Sequence, residues 1–213
     1  MGFLCIPLGY LIGTVNPSYL FARIHGEDIR KKGSGNAGAS NALIIYGKLI
    51  GLFCALFDIF KAFLAIRLAQ WIFPSFELSF AVTGVSCILG HVFPFYMGFR
   101  GGKGLACLGG MIMAYDGWVF LIMLTGEILL ALITNYICFV PVTASVIFPV
   151  VYFLMRRDVW GGLILLIASA VIIWKHRENL KRIRKGTEAR LSLIWNKEKE
   201  IERVQANQSK LEQ

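Results

Sequence analysis

Apolar residues run in long stretches that recur at about the length of a bilayer crossing. The runs lie near residues 3–24, 49–73, 78–97, 103–115, 117–134, 137–155 and 159–175. They predict an all-α integral membrane protein of about seven transmembrane helices, the fourth short enough to be tilted or re-entrant. Polar residues collect in the gaps, chiefly 25–48, 98–103 and everything after 175. Residues 1–190 are expected to form one polytopic domain, and 191–213 a polar cytosolic tail, frayed or helical. The amino end superficially resembles a signal peptide. It lacks a basic leading region and a small-residue cleavage site, so it is expected to be a retained first span.

Composition agrees. Of 213 residues, 56% are hydrophobic and only 16% charged, too few to coat a water-facing surface. The net charge of +9 is unevenly placed. Lys and Arg cluster at Arg23 to Lys32, around Arg100 and Lys103, and from Lys175 onward. With seven spans these clusters share one face, which the positive-inside rule makes cytoplasmic. The amino terminus is then outside and the carboxyl terminus inside, with Arg156-Arg157 an exception on the outer side. Charge grouped in loops, rather than as a stripe, argues against nucleic acid. Cys5, Cys54, Cys87, Cys107 and Cys138 stand singly, without a CxxC pair. They are expected to be small packing residues, and no metal or other cofactor is called for.

Two segments carry candidate chemistry. Gly33-Ser34-Gly35-Asn36-Ala37-Gly38-Ala39-Ser40-Asn41 follows Arg30-Lys31-Lys32. Glycines let backbone amides approach an anion, Ser and Asn add donors, and Ser40 and Asn41 sit where a helix would open. Phosphate binding by Ser34, Gly35, Asn36, Gly38, Ser40 and Asn41 is the expectation. The GxxxxGK[ST] spacing of a Walker loop is absent. The second segment, Gly90-His91 through Arg100-Gly101-Gly102-Lys103-Gly104, pairs a histidine with a glycine–lysine loop. Gly101 and Gly102 again free backbone amides, Lys103 supplies a point charge, and His91 titrates near neutrality. Within the second span, Asp58 and Lys61 are spaced to pair as structural partners. Glu127 has no partner nearby in sequence and is expected to face a polar interior. In Trp174-Lys175-His176-Arg177-Glu178-Asn179, His176 and Asn179 share a helix face. Together these segments suggest a cytoplasmic-face site for a phosphorylated polar substrate, with a lipid or acyl chain as the natural second substrate.

The stretches GSGNAGASN, GHVFPFYMGFRGGKG, Asp58 with Lys61, and HRENLKRIRKGTEAR resemble the acyl-phosphate:glycerol-3-phosphate acyltransferases of bacteria, the PlsY family, from Gly9 to about Arg190. The resemblance implies seven helices in the bacterial inner membrane. It implies transfer of a fatty acyl group from acyl phosphate to glycerol 3-phosphate, giving lysophosphatidic acid for phospholipid synthesis. An acyl-phosphate-producing enzyme is an expected partner. By position it puts Ser34, Asn36, Ser40, Gly102 and Lys103 around phosphate groups and adds His91, His176 and Asn179 to the site. His91 and the substrate phosphate are both candidates for the base, and Lys103 joins His91 as a catalytic candidate. The chain departs from the family at Ile44, where an Arg is usual. It departs again at Thr134-Asn135-Tyr136-Ile137-Cys138-Phe139-Val140-Pro141, where the related motif carries an Arg and two serines. Those departures raise an alternative, a weakened or inactive paralog that binds a phosphorylated lipid precursor as an accessory or regulatory protein.

Overall fold

The computed structural model describes residues 2–209. Met1 and the last four residues of the expected tail, 210–213, lie outside the described residues. Among the described residues the only regular structure is helical. After a 3-10 turn at Gly2–Leu4, α1 (Cys5–Thr14) and α2 (Pro17–Ile24) form one apolar stretch bent by 42°. The short α3 (Ala39–Tyr46) leads to α4 (Lys48–Ile72) and α5 (Ser79–Val92). There follow α6 (Leu105–Tyr115), α7 (Gly117–Thr134), α8 (Phe139–Arg156), α9 (Val159–Arg184) and α10 (Lys197–Ser209).

Among the described residues five helices are long and apolar enough to cross a membrane, or six if the bent α1–α2 pair is one span. The short fourth span expected from sequence is α6, whose 11 residues rise only about 16 Å. Reaching seven crossings depends on it. The last span was expected to stop near residue 175, yet α9 continues to Arg184. Nothing in that basic stretch breaks a helix, and Lys181, Arg182 and Arg184 suit the negative end of its dipole.

The outward faces carry large apolar residues such as Leu52, Phe60, Ile122, Leu129, Val150 and Leu163, as lipid contact requires. The interior packs large side chains such as Phe148, Ile88 and Met111, with small residues where helices approach closely. On α1, Gly9 and Gly13 lie one turn apart. A Cβ on either would strike the backbone of α5 at Thr83 or Cys87, and one on Gly90 of α5 would strike Tyr10. Lipid tails are as apolar as leucine, so close backbone approach through small residues is what holds such helices together. All five cysteines are buried and free.

The bend at Val15–Asn16 exposes backbone that lipid cannot satisfy. Asn16 caps α2 by accepting from the Tyr19 amide at 2.9 Å. Lys61 donates to the Val15 carbonyl at 2.6 Å, and the Tyr96 hydroxyl donates to Thr14 O at 2.7 Å. The Asp58–Lys61 pair forms as expected, at 2.6 Å. Its buried ammonium therefore serves two needs, the carboxylate and the broken helix.

Candidate functional site

The first glycine segment is folded around Asn41. This side chain is fully buried. Its amide nitrogen donates to the carbonyls of Ile29, Lys32 and Asn36, and its oxygen accepts from the Ser34 amide at 2.7 Å. Asn41 thus shapes the loop, and its two N–H donors, shared among three carbonyls, are not free for an anion, contrary to its expected place among the binding residues. Asn16 reaches the same loop, donating to Ala37 O at 2.9 Å. Gly33 and Gly35 are glycines because the turn needs φ of +56° and +73°.

Arg30 ties this loop to the second. It pairs with Asp28 at 2.7 Å and donates to Met97 O. The Arg30 guanidinium holds the Asp28 carboxyl down to about 2. In the second loop, the Gly101 amide donates to Val92 O and the Gly102 amide to His91 O, both at 3.0 Å. A Cβ on Gly102 would fall on His91 Nε2.

These bonds narrow the expected anion cradle to the amides around Asn36, Gly38 and the start of α3. The amides of Ser34, Gly35, Gly101 and Gly102 all donate within the protein. The glycines among these positions supply tight turns and room, and basic side chains add positive charge. A cavity of about 410 Å³ lies where the loops meet, lined by Asp28, Arg30, Lys31, Gly35, Asn36, Arg100, Gly101 and Lys175. Both glycine segments and α9 thus converge on one pocket, as the sequence suggested. Of the expected binding residues, Gly35, Asn36 and Gly101 line its wall. Ser34 and Ser40 are exposed and Gly38 is buried. Its cations Arg30, Lys31, Arg100 and Lys175 stood in the recognised basic clusters but were not singled out.

Two further groups flank the pocket. His91 is only 3% exposed. Its Nδ1 lies 3.1 Å from Lys61 Nζ and 3.4 Å from Asp58 Oδ1. It is therefore seated behind the Gly101–Gly102 backbone rather than in the pocket wall. Asp58, His91 and Cys107 offer donor atoms within 4.8 Å of one another. The Lys61 ammonium already provides the cation there, so the set does not suit a metal.

The other group surrounds Lys103, which donates to Asn179 Oδ1. Asn179 in turn donates to Glu188 Oε1 at 2.6 Å, and Glu188 Oε2 accepts from Arg182 at 2.6 Å. His176, one turn before Asn179 on α9, is buried with Nδ1 2.8 Å from Ile172 O. Burial and the charges of Arg182 and Lys175 lower Lys103 to about 8. Glu188 and Arg182 lie in the HRENLKRIRKGTEAR stretch but carry no role assigned from the sequence. Their signal was the GTE that follows α9, where a carboxylate returns toward a basic helix end.

Glu127 does not face a polar interior. It is buried with one polar neighbour, the Thr143 hydroxyl, 2.7 Å from Oε2. Around it runs a narrow apolar groove of about 70 Å³, lined by Leu105, Leu108, Gly109, Ile112, Phe120, Met123, Leu124, Val140 and Ala144. The groove begins two residues beyond Lys103.

A sequence model of the family described as glycerol-3-phosphate acyltransferase matches residues 3–186. A glycerol-3-phosphate acyltransferase of Thermus thermophilus is 38% identical over 191 residues, 86% of this chain and 92% of the relative. Glycerol-3-phosphate acyltransferase 1 of Deinococcus radiodurans is 37% identical over 188 residues, 88% of this chain and 94% of its own. Among solved structures, PlsY, an integral membrane glycerol 3-phosphate acyltransferase in its glycerol 3-phosphate form, superposes with a TM-score of 0.83. It is 29% identical and covers 91% of this chain and 96% of its own. A lysophosphatidic acid form of PlsY superposes at 0.79.

Proposed function

The chain belongs to the glycerol-3-phosphate acyltransferase family, and from that premise we propose how its geometry performs the reaction. It is a multi-pass membrane enzyme that acylates glycerol 3-phosphate to lysophosphatidic acid. The donor in our reading is acyl phosphate, the membrane is the bacterial inner membrane, and the site faces the cytoplasm. Residues 1–190 carry the activity and 191–213 are an appended tail.

The observation that carries this reading is the 410 Å³ pocket with Arg30, Lys31, Arg100 and Lys175 in its wall. Its size suits a three-carbon phosphate monoester, and its charge suits the dianion. The apolar groove from Leu105 inward would take the acyl chain. Lys103 lies between Gly101 of the pocket and Leu105 of the groove in sequence, and we assign it to the place where the acyl carbonyl and the leaving phosphate meet.

In the reaction, the 1-hydroxyl oxygen of glycerol 3-phosphate bonds to the acyl carbonyl carbon. The C–O bond to phosphate then breaks and inorganic phosphate leaves. Phosphate is a good leaving group, so positioning and charge stabilisation supply most of the rate. We assign Lys103 to the charge developing on the phosphate. The hydroxyl proton passes to a phosphate oxygen. His91, enclosed by Asp58, Lys61 and Gly102, supports the Gly101–Gly102 backbone in this scheme rather than taking the proton. Ser34 and Ser40 are assigned to the rim of the acceptor pocket, and His176 and Asn179 to the alignment of Lys103.

The alternative of an inactive paralog is not favoured. Lys31, Arg100 and Lys175 in the pocket wall, beside the Arg30–Asp28 pair, meet the need left by Ile44 and the altered third motif. The test is complementation of a bacterial strain lacking its own acyl-phosphate-dependent acyltransferase. Growth is expected with this chain and not with Lys103→Ala. Expression without growth overturns the reading.

A further inference from the structure

We propose that α10 is a clamp on the site and that Arg203 is a positioning residue for acyl transfer, acting through Glu188. The inference rests on the acyl-transfer reading of that site, and goes beyond it to a helix lying outside the stretch matched by the family.

A single guanidinium spans two backbone carbonyls. Arg203 Nη1 donates to Gly186 O and Nη2 to Glu188 O, both at 2.7 Å. Asn207, one turn on, also donates to Gly186 O, at 2.8 Å. Glu200 holds Arg203 at 2.6 Å and accepts from the Arg190 amide at 2.9 Å. Thus α10 grips the backbone on both sides of Glu188. That residue is buried, with each carboxylate oxygen already engaged, one by Asn179 and one by Arg182. Asn179 carries Lys103 at its other end. The chain Arg203–Glu188–Asn179–Lys103 runs without a gap from the tail to the reacting groups.

The same segment is seated on the loop where this chain departs from its family. Asn135, in the left-handed conformation at φ +59°, accepts the Leu191 amide on its carbonyl at 2.8 Å and the Ser192 amide on its side chain at 3.1 Å. The Arg190 guanidinium lies over the Tyr136 ring at 5.9 Å. A loop whose counterpart in the family carries an arginine here serves as the tail's seat.

Freeing Glu188 would leave Arg182 unpaired and let the Asn179 amide turn away from Lys103. Arg182, Lys175, Cys138 and His176 would remain around that ammonium without the carboxylate. Surroundings more positive on balance release its proton at lower pH.

The experiment uses the purified full-length enzyme. Arg203→Gln is expected to lower kcat about tenfold, change KM for glycerol 3-phosphate little, and move the alkaline fall in rate to lower pH. In a Glu188→Gln background it should cost nothing further. Glu202→Gln, on the exposed side of α10, should match the parent throughout. A second readout needs no turnover. Cys138 is 7% exposed beside the seat, and the other four cysteines are fully buried or lie within the helix bundle. Maleimide labelling of Cys138, followed by peptide mass, should quicken at least several-fold in Arg203→Gln. If that variant does not purify intact, Arg203→Lys decides, since an ammonium reaches one carbonyl where the guanidinium reaches two. Its labelling should be intermediate. Parent-like kinetics and labelling, or losses that multiply with Glu188→Gln, overturn the clamp. No turnover by the parent defeats the acyl-transfer reading instead, and Cys138 labelling then judges the clamp alone.

Discussion

Lys103 is the residue on which chemistry and environment meet. Its ammonium is desolvated and crowded by Arg182 and Lys175, which lower it to about 8. An ammonium that stabilises leaving phosphate works only while protonated, so the rate should fall as pH rises through about 8. The limb should vanish in Lys103→Ala, which is expected to lose at least a hundredfold in kcat. A pH–rate profile of both proteins checks this, and a parent rate flat to pH 9.5 would exclude the role. Arg100 is different in kind. It is exposed on the rim of the acceptor pocket, so Arg100→Ala should raise KM for glycerol 3-phosphate about tenfold with little change in kcat. An unchanged KM would move the acceptor out of that pocket.

The helices were legible because hydrophobic run length is a strong signal. Six apolar elements and the short α6 stand where the runs put them. The helix was legible past residue 175 as far as Asn179, through the spacing of His176 and Asn179, but its end at Arg184 was not, since positive charge marks the end of the apolar core and not the end of a helix. The glycine segments were read as beds of amide donors, and the amides of Ser34, Gly35, Gly101 and Gly102 are instead spent inside the protein. Which amides are spent depends on partners such as Asn41 and Val92 O, which only tertiary packing reveals. Asp58 and Lys61 were visible as a pair, yet their service to the broken α1–α2 helix was hidden, because Val15 lies 46 residues before Lys61. That role predicts an asymmetry. Lys61→Met strands a buried carboxylate and the Val15 carbonyl, and should cost about 3–5 kcal/mol. Asp58→Asn combined with Lys61→Met removes the stranded charge and should recover part of the loss. Thermal unfolding in detergent measures both, and equal melting of the single and double variants would contradict the pairing.

Taken whole, the molecule divides its labour between solvents. Lipid-facing α7 and α8 bound the apolar groove, and the basic loops gather at the other end around the acceptor pocket. In the proposed reading Lys103 serves their junction, so that a water-soluble phosphate ester and a membrane-soluble acyl group meet there without either leaving its own phase. The purified enzyme, supplied with acyl phosphate and labelled glycerol 3-phosphate, should form lysophosphatidic acid and release one phosphate per product. Acyl phosphate left intact in the presence of glycerol 3-phosphate, by a protein shown to be folded, would contradict it.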